Sequence, residues 1–85
     1  MAAPSYTPDE IRQHVKEMVA DIADVSATDV GDTTDFSDQL GLDSLRAMEL
    51  MVAVDRKYRI KIPEQEFTEI RNVNQAVAAV QRHLP

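Results

Sequence analysis

Ser44 is the residue around which chemistry would have to be organised, and it sits in Gly41-Leu42-Asp43-Ser44-Leu45-Arg46. A serine that attacks a carbonyl needs a base to take its proton. His14 and His83 are the only imidazoles, and both fall on helical stretches near the ends of the chain. Both read as solvated. The G-x-S-x-G turn of a hydrolase nucleophile is also missing. This spacing therefore supports no catalytic serine, and no catalytic residue is assigned. Asp29, Asp32, Asp35 and Asp38 recur every three residues and suggest a divalent cation instead. An EF-hand loop needs D-x-D-x-D-G spacing with a glutamate at position twelve. That pattern is absent, so the run reads as a solvated acidic loop and no metal site is expected.

Composition narrows the setting of Ser44. A chain of 85 residues is one small domain, spanning 1–85, with little room for a deep enzyme cleft. Hydrophobic residues make up 44%, enough for a packed core. The net charge of −6 argues against a nucleic-acid partner, because it offers no replacement for phosphate counterions. The absence of cysteine excludes disulfides and thiolate metal sites. No run approaches the ~18 apolar residues of a membrane span, and the N-terminus lacks a signal-peptide pattern. The expectation is a cytoplasmic monomer.

The elements that would position Ser44 read as helices. Residues 1–6 are a loose lead-in. Thr7, Pro8 and Glu10 form a capping box, and Ile11, Val15, Met18, Val19 and Ile22 follow at helical spacing, which predicts a helix over 8–23. Residues 24–42 form a long loop with one turn after Ser26. Phe36 and Leu40 pin it to the core, with Val25 and Val30 doing the same. Asp43 is a good N-cap for a second helix over 44–58. "RIKIP" alternates like a strand, but a lone strand has no partner, so it reads as loop. Pro63 starts a short helix over 64–69. Asn72 with Gln75 caps a last helix over 73–83, burying Val73, Val77, Val80 and Leu84. The predicted fold is all-α: a small four-helix bundle with a long first loop and a short third helix.

The second helix carries two apolar stripes. Ala47, Leu50, Met51, Val54 and Tyr58 share the core face. Leu45, Met48 and Val52 lie on a second stripe, rotated by roughly 130°. A small bundle can bury one broad face of a helix, so the second stripe lies either under the loop or exposed as a partner surface.

"LGLDSLRAMEL" at residues 40–50, followed by Ile62-Pro63, resembles the acyl carrier proteins, the phosphopantetheine-dependent carrier family. The likeness extends from Thr7 to His83. It implies that Ser44 carries 4′-phosphopantetheine through a phosphodiester, whose thiol holds acyl groups as thioesters. It implies a carrier and not an enzyme, working with a phosphopantetheinyl transferase and with acyl-loading, condensing and unloading enzymes. Asp43 then serves both as N-cap and in transferase recognition. Leu45, Arg46, Met48, Glu49 and Val52 become the partner face. Met18, Met48 and Met51 are candidates for lining an acyl cavity. Elementary electrostatics agrees, because a helix N-terminus offers free N–H groups and partial positive charge to a phosphodiester. A serine modified by a separate transferase needs exposure, not an activating histidine. The alternatives are a helical adaptor that binds through the Leu45, Met48 and Val52 stripe, and a peptidyl or aminoacyl carrier.

Two features depart from the fatty-acid carriers this sequence resembles, whose second helix is strongly acidic. Arg46 stands two residues after the serine, and Arg56, Lys57, Arg59 and Lys61 form a basic cluster. Glu49 and Asp55 are the only acids in the helix body. A polyketide or other specialised acyl route is the implied alternative to primary fatty acid synthesis.

Overall fold

Three of the four α-helices among residues 6–85 start on a side chain that reaches three residues forward. In the computed structural model, which describes residues 6–85, α1 runs Pro8–Ala23. Thr7 Oγ1 accepts from the Glu10 amide at 3.2 Å, and Glu10 Oε1 accepts from the Thr7 amide at 3.4 Å. This box satisfies amides that a helix start leaves open, and Pro8 at the first position has none to satisfy. Ser26 caps a single 3-10 turn at Ala27–Asp29. Next come α2 at Ser44–Tyr58, α3 at Glu64–Phe67 and α4 at Val73–His83. Asn72 Oδ1 caps α4 by accepting from the Gln75 amide at 2.9 Å, while Gln75 Oε1 accepts from the Arg71 amide at 2.7 Å. The expected four-helix bundle is the fold found, and the segment around Ile60 and Ile62 is loop.

α3 stops two residues short of the expected Glu69. The Glu69 and Ile70 amides bond back only three residues, to Glu66 and Phe67, and so tighten the helix into a turn. Of the expected loose lead-in, Tyr6 is packed rather than loose. Its ring stands edge-on to Tyr58 with centroids 4.9 Å apart. The rest of the lead-in lies outside the described residues.

One contiguous core joins the helices. α1 contributes Ile11, Val15 and Val19, α2 contributes Leu50, Val54 and Tyr58, and α4 contributes Val73, Val77 and Val80. Val30, Phe36, Leu42 and Ile62 enter the same cluster from loops. Val25, expected to pin the long loop, is instead 38% exposed. Asp24 at the end of α1 takes a left-handed conformation with φ 60°, which turns the chain before Val25 can face inward. Leu84 is only half-buried, since it follows the end of α4 in an extended conformation.

Half of the acidic run is built in: Asp32 and Asp35 are tied down, while Asp29 and Asp38 are exposed as a solvated loop would have them. Asp32 pairs with Lys16 at 2.9 Å and Arg12 at 3.5 Å, and its carbonyl accepts from the Asn74 amide at 3.0 Å. Asp35 accepts from the Ser37 and Asp38 amides at 2.9 and 2.8 Å and pairs with Arg71 at 3.0 Å. The Phe36 amide donates to the Arg71 carbonyl at 2.9 Å. The loop is thereby tied to α1 and to the start of α4. Lys16 above all holds the Asp32 carboxyl below the ordinary carboxylate range, and the Asp38 amide does the same for Asp35. No group of three metal-ligating side chains occurs among the described residues.

The two histidines are likewise partnered, not solvated. His14 Nδ1 shares a hydrogen bond with Tyr58 Oη at 3.1 Å, and His83 Nε2 lies 3.0 Å from Glu66 Oε1. Burial pushes the Tyr58 hydroxyl up to about 12. His83, then Arg82, holds the Glu66 carboxyl low and fastens α3 to α4.

Candidate functional site

Ser44 is the first residue of α2 and is exposed. Asp43, extended at the N-cap, accepts the Arg46 amide on Oδ1 at 2.9 Å, and its carbonyl receives the Ala47 amide at 2.9 Å. These bonds fix the direction in which the first turn points. The amides of Ser44 and Leu45 have no intrahelical acceptor, so they face an incoming anion or water. With the positive end of the α2 dipole behind them, they suit a phosphodiester on the Ser44 hydroxyl. Gly41, two residues before the cap, has φ +69° and open space where a Cβ would sit. The left-handed turn that delivers Asp43 is the reason for a glycine there.

The second stripe of α2 is on the surface. Leu45 is 67% exposed, Met48 51% and Val52 45%, whereas Leu50, Met51, Val54 and Tyr58 are buried. The long loop packs elsewhere, so it leaves this stripe uncovered. Glu49 is exposed beside it. Arg46 is also exposed, but its guanidinium turns toward α1 and donates to the Ile22 carbonyl at 3.4 Å. There it meets the negative end of the α1 dipole, which has no basic residue of its own in the last turn. Arg46 therefore has a structural contact that spacing alone did not suggest.

A hollow of about 270 Å³ opens between α2, α3 and the long loop. Its apolar lining includes Phe36, Leu42, Ala47, Leu50, Phe67 and Ile70, with Ser37, Thr68 and Arg71 as polar members. Leu42 and Ala47 flank Ser44 in sequence, so the hollow lies beside the start of α2. Met18, Met48 and Met51 do not line it. Met51 is buried, Met48 is on the outer face, and Met18 borders a separate hollow with His14, Asp21 and Lys57. The lining residues come from three separate segments, and no local periodicity links them. His14 and His83 stay with Tyr58 and Glu66, so no imidazole is organised around Ser44.

Comparison with known proteins gives the family and the fold. Residues 13–80 match the family described as "Phosphopantetheine attachment site". Among solved structures, an acyl carrier protein from Enterococcus faecalis superposes with a TM-score of 0.78 at 24% identity, covering 92% of this chain and 99% of that one. At that identity the likeness speaks to the fold.

Proposed function

The chain belongs to the phosphopantetheine attachment-site family, and from that premise we propose that Ser44 carries the prosthetic group and presents acyl cargo to enzymes in trans. The protein is a carrier and not an enzyme, and its prosthetic group is 4′-phosphopantetheine. When bound, that group supplies a thiol on which an acyl group is held as a thioester. Ser44 Oγ forms the new bond to phosphorus, the pyrophosphate link of coenzyme A breaks, and adenosine 3′,5′-bisphosphate leaves. The transferase takes the hydroxyl proton, which is why no base stands beside Ser44. Asp43 fixes the first turn and offers a carboxylate beside the serine for transferase recognition.

The observation that carries this reading is an exposed serine at the capped N-terminus of α2, bordered by an exposed apolar stripe and an apolar hollow. The lining of the hollow favours a hydrocarbon cargo over an aminoacyl one. Leu45, Met48 and Val52, with Glu49, form the face that loading, condensing and unloading enzymes meet. The cations of α2 favour a specialised acyl pathway, polyketide assembly included, over general fatty acid synthesis. A cytoplasmic monomer fits this role, and no helix among the described residues is long and apolar enough to cross a membrane. Incubation with coenzyme A and a phosphopantetheinyl transferase should raise the intact mass by one phosphopantetheine. Ser44→Ala should abolish that gain with helical circular dichroism intact. A variant that still gains the mass would refute the assignment. An adaptor that bound partners through the stripe alone would show no mass gain in either form.

A further inference from the structure

Cations and acids are segregated in this molecule. Outside residues 44–61 there are four cations, and each holds a carboxylate: Arg12 and Lys16 hold Asp32, Arg71 holds Asp35 and Asp38, and Arg82 holds Glu66. The remaining five, Arg46, Arg56, Lys57, Arg59 and Lys61, form no ion pair among the described residues. The same segment has two acids, Glu49 and Asp55, and Asp55 Oδ1 is occupied by the Ile62 amide at 3.1 Å. A net-positive segment is thus kept unpaired on a chain of net charge −6. The negative end of the α2 dipole accounts for a cation in its last turn. It does not account for four within residues 56–61, nor for their lack of ion pairs in so acidic a protein.

These cations are not equivalent. Arg46 and Lys57 lie on the flank that faces α1, Arg46 against the Ile22 carbonyl and Lys57 beside Glu17 and Asp21. Arg56 follows Val52 by four residues, in register with the stripe of Leu45, Met48 and Val52. Arg59 and Lys61 extend it at the exit of α2. Arg56 lies ~18 Å along the helix from Ser44, at 1.5 Å per residue.

We infer that the outer face of α2 docks an acidic partner. That partner is an enzyme surface offering an apolar strip to Leu45, Met48 and Val52, with carboxylates set to meet Arg56 and Arg59. The inference rests on the carrier reading, which places the prosthetic arm at the other end of the same face. The acidic remainder of the molecule repels such a surface, and the α2 face alone attracts it. The charge pattern therefore selects orientation as well as partner.

Two synthetic amphipathic helical peptides test this, with one shared apolar stripe flanked by glutamates or by lysines. Each is titrated into nitrogen-15-labelled protein, before and after loading of Ser44, at low and physiological salt. The glutamate peptide should bind several-fold more tightly, shift the amides of residues 45–59, and lose its advantage as salt rises. Arg56→Glu with Arg59→Glu should reverse the preference, and Arg56→Gln should reduce it without reversal. Preference for the lysine peptide, which the net charge of −6 favours, would overturn the proposal. Failure of both peptides to bind would overturn it equally. Intact mass of the same samples reports loading separately. A protein that prefers the glutamate peptide but never loads would refute the carrier reading and leave the charge pattern of the face established.

Discussion

Val52 and Val54 lie two residues apart on α2 and have identical side chains, yet Val54 is 3% exposed and Val52 is 45% exposed. Nothing in residue type separates them. The difference is angular: two residues on a helix rotate the side chain by ~200°, onto the opposite face. α1 packs against the inner face, in one core with Ile11, Val15, Val19, Val77 and Val80, and no described element covers the outer one. Apolar character on a helix therefore reports two different jobs. On the inner face it holds the bundle together. On the outer face it is kept available beside a serine that must meet other proteins.

The sharpest way to break that contrast is to shorten both valines. Val54→Ala leaves a cavity in a packed core and should cost about 1–3 kcal/mol, read from denaturant midpoints. Val52→Ala should stay within about 0.5 kcal/mol, as surface changes usually do. Comparable losses for the two would mean that the outer stripe is core.

Acid tests the ionic ties that hold the long loop and α3 in place beside α2. Asp32, Asp35 and Glu66 all have carboxyls held below their ordinary values in the folded protein. Their stabilising contribution is complete above the unfolded carboxylate value near pH 4, and it is lost as pH falls through the lower folded values. Thermal midpoints should accordingly fall below about pH 4. Glu66→Gln should flatten part of that slope. An unaltered slope in Glu66→Gln would remove the tie between α3 and α4 from the explanation.

Arg46 tests the boundary between the two jobs. Arg46→Gln removes the contact with the Ile22 carbonyl and the cation at the negative end of α1, which should cost about 0.3–1 kcal/mol. A fully neutral effect on stability would leave Arg46 as a partner residue alone. The smallest stability effect belongs to Met48→Ala, within about 0.5 kcal/mol. It should nonetheless slow reaction with a cognate enzyme, measured as kcat/KM for an acyl-loading step. A variant equally stable and equally fast would exclude Met48 from the docking face.

What was legible in the sequence was what local geometry decides. Thr7, Asp43 and Asn72 cap amides three residues away, so their neighbours alone identify them. The two stripes of α2 follow from the period of the helix. Whether the second stripe is covered or exposed was not legible, because it depends on where the long loop packs, and bonds between distant residues decide that. Phe36 N to the Arg71 carbonyl and Asn74 N to the Asp32 carbonyl are two such bonds. Leu42 and Ile62 were missed as core residues for the same reason, being loop positions with no helical period. Val25 was misplaced because the left-handed turn at Asp24 came on a residue that is not glycine. The hollow beside Ser44 needs Phe36, Leu42, Phe67 and Ile70 together, and only the folded chain assembles them.

The central claim is that the serine at the head of α2, and no other, is where the outer face becomes chemically active. Peptide mapping of the transferase-treated wild-type protein tests this most directly. All added phosphopantetheine should sit on the peptide that contains Ser44. Recovery of the group on Ser26, which caps the 3-10 turn, or on Ser37, at the rim of the hollow, would contradict it.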